Sequence, residues 1–402
     1  MSLPAAPPLR VFIVAGEESG DALGGPLMRA LGQKAPGGAV FRGVGGPRMQ
    51  AAGLAGLFPM DDLTAIGFAE VIGKLPKLIG RLRETVSAIL ADPPDVLVLV
   101  DAPDFTHRVA ARVRRHLPEL PIVKYVAPTV WAWRPGRARA MSGSIDHVLA
   151  LFPFEPAAMA RLGGPPTTYV GHPLLGERAE LRSRPDDAAR RAGKPPLLLV
   201  LPGSRRREIA ALSTIFGKTL AELVARGVAV EAVLPTLPRL EGAVRAATST
   251  WPVAPRIVTG AADKQAAFRQ ARAALAASGT VTLELALAGI PSVGAYRLAA
   301  WEAFIARRVL TTPTVILPNI VLGEVAVPEL LQEDCTPERL ADELVPLIDE
   351  GPARARQLAQ LARLDALMSA GGIAAGDVAA QTVLALLAER GRAGLPRLGG
   401  PS

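Results

Sequence analysis

The chain has 402 residues, half of them hydrophobic but only 4% aromatic, with a formal net charge of +8 and a single cysteine, Cys335. That length exceeds one comfortable core and predicts two domains filled mainly by Ala, Leu and Val. One cysteine excludes a disulfide framework and a multi-cysteine metal site. No basic run carries the interleaved aromatics of a nucleic-acid arm, so no nucleic-acid partner is expected.

The N-terminus has no charged start followed by an apolar stretch, so no secretory signal is expected. Residues 10–15 predict a buried strand, Gly16 to Asp21 a polar loop, and the chain to about Leu31 a helix. Val40 to Val44 predicts a second strand, ending at Gly45-Gly46-Pro47. From Phe68 to Leu90, apolar residues (Val71, Ile72, Leu75, Leu78, Ile79, Leu82, Val86, Ile89) interleave with Lys74, Lys77, Arg81 and Arg83. That pattern suits an anionic bilayer surface or a core-facing helix, and Pro76 is expected to break it. Asp95 to Val100 is the clearest strand, followed by Asp101-Ala-Pro-Asp-Phe105 and a helix through Arg115. Pro121–Val126 and Ile145–Phe152 predict two more strands, with an aromatic-basic cluster at Trp131, Trp133 and Arg134 between them.

The charged, proline-punctuated stretch from Glu177 to Pro196 reads as a linker. The alternation then restarts, with strands at Leu197–Leu201, Val228–Leu234, Arg256–Val258, Ala273–Ala277 and Pro291–Ala295. From about Pro337 the chain reads as helical, with a frayed end. No apolar run reaches the roughly 18 residues of a spanning helix. Short apolar strands alternating with helices predict an α/β fold: two Rossmann-like domains with parallel sheets facing across a cleft.

The chemistry-bearing residues lie in loops after strands. Pro202-Gly-Ser-Arg-Arg-Arg-Glu208 puts small residues and arginines before a helix, where Gly203 permits close backbone approach and Arg205 could clamp a diphosphate. Ser278, Gly279 and Thr280 repeat the construction, and Glu284 lies one turn inside the helix, placed to meet ribose hydroxyls. Neither loop is a P-loop or a full Gly-x-Gly-x-x-Gly, which disfavours ATPases and NAD enzymes. Asp101, directly after five apolar residues, is the candidate general base. Asp104 reads as a helix N-cap, and Ser19 or Asp21 as another. Glu17 or Glu18 could face the cleft, and His172 near the domain junction is structural or functional. No His/Asp/Glu spacing resembles a metal site.

Several motifs together resemble the lipid-A-disaccharide synthase family: Val14–Asp21, Gly43–Met49, Asp101–Phe105, Val130–Arg134, Phe152–Glu155, Gly171–Leu174, Leu201–Arg205, Ala277–Thr280 and Leu317–Asn319. The resemblance covers most of residues 11–335, in order and at consistent spacing. It implies a GT-B fold, with residues 1–175 completed by 365–402 as the acceptor and membrane-facing domain and 176–364 as the donor domain. It implies inverting transfer of 2,3-diacylglucosamine from UDP-2,3-diacylglucosamine to the 6-hydroxyl of 2,3-diacylglucosamine 1-phosphate (lipid X), with UDP as product. Asp101 aligns with the proposed base. Arg205 and Ser278-Gly279-Thr280 fit the diphosphate, Glu284 the ribose and Asn319 a donor-site role. Glu17, Ser19 and His172 join them as substrate-binding candidates. No cofactor or metal is expected, because arginines and amides replace it. The expected partners are the two acylated sugars and an anionic membrane surface, at the cytoplasmic face of the bacterial inner membrane. A homodimer is compatible with all of this. Leu175-Gly176 departs from the acidic residue common in the family after Gly-His-Pro-Leu. Two alternatives stay open: a UDP-sugar 2-epimerase of the same fold, and a non-catalytic nucleotide-sensing membrane adaptor.

Overall fold

Unbroken apolar runs, rather than alternating ones, are what a strand covered on both faces requires. Val96–Val100, Leu197–Leu201 and Ala273–Ala277 are buried along their whole length and lie centrally in their sheets. The structure, a computed structural model, describes residues 6–63, 68–369 and 371–391, without the side chains of 68–74, 300, 305 and 306. It divides into unit 1, Met1–Pro173 with Ala370–Ser402, and unit 2, Leu174–Ser369.

Unit 1 holds β1 (Leu9–Ala15), β2 (Ala39–Val44), β3 (Leu54–Gly56), β4 (Val96–Val100), β5 (Ile122–Tyr125), β6 (His147–Ala150) and β7 (Thr167–Tyr169), in the order β3-β2-β1-β4-β5-β6-β7. Every neighbouring pair is parallel. Alternate residues serve opposite cores. Val96, Val98 and Val100 join Leu27 and Leu31 of the helix Glu18–Lys34, while Leu97 and Leu99 join Leu82, Val86 and Ile89 of the helix Phe68–Ala91. The helix Ala375–Glu389 completes the first of these cores with Ala379, Ala380, Val383 and Leu387.

Unit 2 holds β8 (Leu197–Leu201), β9 (Glu231–Pro235), β10 (Arg256–Val258), β11 (Ala273–Ala277), β12 (Ser292–Tyr296) and β13 (Glu329–Leu331), in the order β10-β9-β8-β11-β12-β13 and again all parallel. The helix Pro352–Met368 stays with this unit. Gln357 bonds both the N–H and the carbonyl of Ser292, and Arg354 donates to the carbonyls of Arg272 and Leu347.

Four local expectations are corrected. Pro76 does not break its segment: the helix Phe68–Ala91 runs through it. A proline inside a helix costs about 3 kcal/mol, and burial of Leu82, Val86 and Ile89 in the following turns opposes that cost. Val71, Ile72 and Lys74 lie outside the described side chains, and the expected frayed end, residues 393–402, lies outside the described residues. The stretch Glu177–Pro196 is no free linker. It packs on unit 2, with Leu181 in the core beside Leu199 and Phe268, and with Arg178 and Arg182 bonded to Asp365. Asp104 caps nothing, because the N-cap of the helix Pro103–His116 is Ala102 and Asp104 instead faces Arg137. Ser19 and Asp21 do not cap the helix Glu18–Lys34. The buried Asp21 carboxylate accepts from the N–H groups of Gly46, Arg48 and Met49, and so caps the helix Pro47–Ala51.

Candidate functional site

In an open parallel sheet, a ligand crevice forms outside the carboxyl ends of the strands, where the strand order reverses. In unit 1 that point lies between β1 and β4, and in unit 2 between β8 and β11. The loops singled out in the sequence follow these four strands.

At the unit 1 switch point, Ser19 Oγ donates to Asp101 Oδ2 at 2.8 Å, joining the loop after β1 to the loop after β4. Asp101 and Ala102 both have left-handed backbone, φ 49° and 41°, a conformation that costs non-glycine residues on the order of 1–2 kcal/mol each. Gly16 makes room for this turn, since a Cβ there would sit 2.7 Å from that of Ala102. Thr106 Oγ1 donates to the Asp101 carbonyl at 2.9 Å, and the buried Lys124 Nζ donates to the same carbonyl and to Thr106 Oγ1. The half-buried Asp101 carboxylate is therefore held by its own backbone and by Ser19. Glu17, exposed, is the N-cap residue of the helix Glu18–Lys34.

Burial pushes the Lys124 ammonium down to about 7, against the pull of the Asp101 carboxylate. An unfolded lysine keeps its proton to about pH 10, so between about 7 and 10 the unfolded chain binds more protons and stability rises with pH. We expect Lys124→Met to flatten that rise, which is on the order of a few kcal/mol in the parent. Urea unfolding of unit 1 at both ends of the window measures it, and an unchanged slope would count against a buried, titrating lysine.

His172, after β7, lies buried with its ring 5.4 Å from that of Phe152, and burial pushes its pKa down to about 4. Trp131 packs edge-on against Phe154 and donates to Glu155 Oε1 at 3.2 Å. Glu155 also accepts from the N–H groups of Leu151 and Phe152, and burial pushes its pKa up to about 7. Trp131 is thus packed into the unit 1 aromatic cluster, while Trp133 carries Arg134 and Arg137 over its ring.

At the unit 2 switch point, both predicted loops line one cavity of about 980 Å³, a size that suits a nucleotide-sized ligand. Gly279, φ 153°, is the N-cap of the helix Thr280–Leu287, and an added Cβ there would meet open space. The leading N–H groups of that helix are those that an α-helix cannot satisfy internally, and Gly279, Thr280 and Val281 all line the cavity. Ser278 Oγ is turned aside to the Val315 carbonyl. Glu284 is buried on the cavity wall and paired with Lys264, a lining residue of the helix Ala261–Gln270.

The arginine loop differs from its expected form. Glu208 Oε2 already accepts the N–H groups of Ser204 and Arg205, and Glu208 Oε1 accepts from Arg205 at 3.0 Å. Gly203, φ 125°, is needed first for this internal contact, because a Cβ would lie 2.4 Å from that of Glu208. Asn319 stands outside the cavity lining. Its buried amide accepts from the N–H groups of Ala326 and Val327 and donates to the Val327 carbonyl. It fixes the loop before β13 rather than presenting a free polar group.

Sequence reasoning missed Lys124 and Lys264, and quoted Glu208 and Glu155 within motifs without giving either a role. Lys124 carried a related signal, a charge inside an apolar strand, where Asp101 directly follows one. Glu208 carried the capping-box spacing, three residues after Arg205. Lys264 carried none, since its pairing with Glu284 is tertiary. Among the described residues there is no group of three or more His, Cys, Asp or Glu able to hold a metal, and no helix long and apolar enough to cross a membrane.

The profile of the lipid-A-disaccharide synthetase family matches residues 11–383. A lipid-A-disaccharide synthase of Rhodopseudomonas palustris is 55% identical over 374 residues, 93% of this chain and 95% of the relative. That of Rhodospirillum centenum is 46% identical over 386 residues, 95% of this chain and 96% of the relative. Among solved structures, Acinetobacter baumannii MurG superposes with a TM-score of 0.57 at 16% identity, covering 95% of this chain and 100% of that one. A UDP-GlcNAc 2-epimerase from Neisseria meningitidis bound to UDP-GlcNAc gives 0.59 at 12% identity, covering 94% and 99%. At such identities the two superpositions speak for the fold alone, two Rossmann-like α/β domains of the GT-B class.

Proposed function

The chain belongs to the lipid-A-disaccharide synthetase family and is a glycosyltransferase of lipid A biosynthesis, and from that premise we propose the substrates and the chemistry. The donor is UDP-2,3-diacylglucosamine and the acceptor 2,3-diacylglucosamine 1-phosphate. Unit 2 binds the nucleotide. The observation that carries this is the meeting of the two switch-point loops, 203–205 and 278–280, on one cavity with Glu284 and Lys264. The diphosphate takes the leading N–H groups of the helix Thr280–Leu287 and the guanidinium of Arg205, with no metal ion. A ribose hydroxyl donates to Glu284.

Asp101 takes the proton of the acceptor's 6-hydroxyl as the new O6–C1 bond forms and the C1–O bond to the diphosphate breaks. Attack from the face opposite the leaving group turns an α-linked donor into a β(1→6) product and inverts the centre. Ser19, by donating to Asp101 Oδ2, orients the other carboxylate oxygen. Helix N–H groups and Arg205 stabilise the charge on departing UDP. Both substrates carry acyl chains, so the enzyme works at a membrane surface, as a peripheral protein of the cytoplasmic face. The 2-epimerase alternative draws support from fold likeness alone.

Incubation of the full chain with both substrates and EDTA, followed by mass analysis, tests the reading. The expected products are one disaccharide phosphate and UDP in equal amounts. Absence of the disaccharide phosphate refutes the substrates, and dependence on added magnesium refutes the metal-free step.

A further inference from the structure

The ten residues 301–310 hold four exposed large apolar side chains. Trp301 is 64% exposed and Phe304 57%, and Val309 and Leu310 follow. Among the described residues, no other stretch of that length exposes so many. They belong to the helix Ala300–Val309 and the residue after it. Trp301, Phe304 and Arg308 recur at i, i+3 and i+7 and so share one face. The Arg308 guanidinium lies 3.5 Å from the centre of the Phe304 ring. Arg207 reaches Glu302 of the helix at 3.6 Å, and Arg307 pairs with Glu333. Beyond these two ion pairs, Arg297 and Arg308 add two further exposed cations.

Exposed indole and phenyl rings, one of them under the Arg308 guanidinium, do not suit a purely aqueous face. They suit the headgroup level of an anionic bilayer, where an aromatic ring keeps its body in the apolar layer and arginine meets lipid phosphate. Other side chains of the same helix, Ala303 and Arg307, and then Leu310, line the unit 2 cavity. The element therefore has a cavity side and an outward side.

We propose that the helix Ala300–Val309 is a lipid-docking element of unit 2, seating Trp301 and Phe304 in an anionic bilayer beside the mouth of the donor cavity. Its placement rests on the proposed acylated donor: the nucleotide enters the cavity while the chains stay in the lipid next to it. The segment Phe68–Ala91 belongs to unit 1 and is a separate candidate contact.

The test uses the full chain with vesicles of phosphatidylglycerol and phosphatidylethanolamine, and with phosphatidylcholine vesicles for comparison. Binding to the anionic vesicles is expected to exceed binding to phosphatidylcholine and to weaken as salt is raised. The double variant Trp301→Ser, Phe304→Ser should lose about tenfold or more of that binding. Brominated lipid should quench the parent's tryptophan emission, and Trp301→Phe should abolish most of the quenching while binding persists. Unchanged binding by the double variant overturns the proposal and leaves the contact to Phe68–Ala91. So does a parent dimer that the variant splits, since a second copy would then cover this face. Disaccharide synthesis from detergent-dispersed substrates is measured alongside. If the parent binds vesicles through Trp301 but makes no disaccharide, the substrate reading fails and the docking element stands.

Discussion

Replacing Asp101 by Asn is expected to lower the rate of disaccharide formation by about 10²–10⁴-fold, the range that a positioned general base contributes. Asparagine tolerates the left-handed backbone that residue 101 adopts (φ 49°) and can still accept from Ser19. The variant should therefore fold like the parent and bind UDP as tightly, because the nucleotide is assigned to unit 2. The loss should fall on kcat rather than on the donor KM, since proton abstraction occurs only as the reaction proceeds. Activity within tenfold of the parent would move the base elsewhere and leave residue 101 as a positioning group. Ser19→Ala removes one hydrogen bond to the same carboxylate and should cost less, about tenfold.

Gly203→Ala is the second large effect. The residue has φ 125°, and the new Cβ would lie 2.4 Å from that of Glu208 and 2.5 Å from its Oε2. Neither the dihedral nor the contact is tolerable to alanine, so the loop must move and release the N–H groups of Ser204 and Arg205 from Glu208. We expect a loss of about 2–4 kcal/mol in the stability of unit 2 and at least about tenfold in UDP affinity. Calorimetric titration with UDP measures the second quantity. Undiminished UDP affinity in a folded Gly203→Ala protein would remove the arginine loop from the nucleotide site. Glu208 gives the control. Glutamine can still accept the N–H groups of Ser204 and Arg205, so Glu208→Gln should disturb the loop less than the glycine variant does.

The membrane question divides in the same way between the two units. In the helix Phe68–Ala91, Lys77 and Arg81 are bonded to Asp62, whose carboxyl they hold below its ordinary range. Two of the cations counted toward a bilayer surface are thus already partnered. Leu75 and Ile79 remain exposed there. The outward side of Ala300–Val309 exposes Trp301 and Phe304, with Arg308 over the Phe304 ring, and nothing in the apolar spacing of the sequence pointed to it.

From sequence, the edge strands β3, β7 and β13 went unread, since three residues carry little period, although the equally short β10 was read at Arg256–Val258. The buried central strands were legible because a strand covered on both faces must be apolar throughout. The loops after them were legible because glycine, serine and charge at a strand end have few other uses. The ordered motifs also identified the family, which the 55% identical relative establishes.

What the sequence by itself determined is local: where the buried central strands lie, which loops carry polar chemistry, and which family the chain joins. The tertiary structure decided the rest. Sheet order places β4 beside β1 and β11 beside β8, and so brings Ser19 to Asp101 across 82 residues and the 203–205 loop to the 278–280 loop. It also assigned Asn319 to a backbone clip and Glu208 to the arginine loop, and set Lys124 behind Asp101. The reason is that propensity and periodicity act over a few residues. A hydrogen bond between distant loops exists only once strand order has set which loops are neighbours.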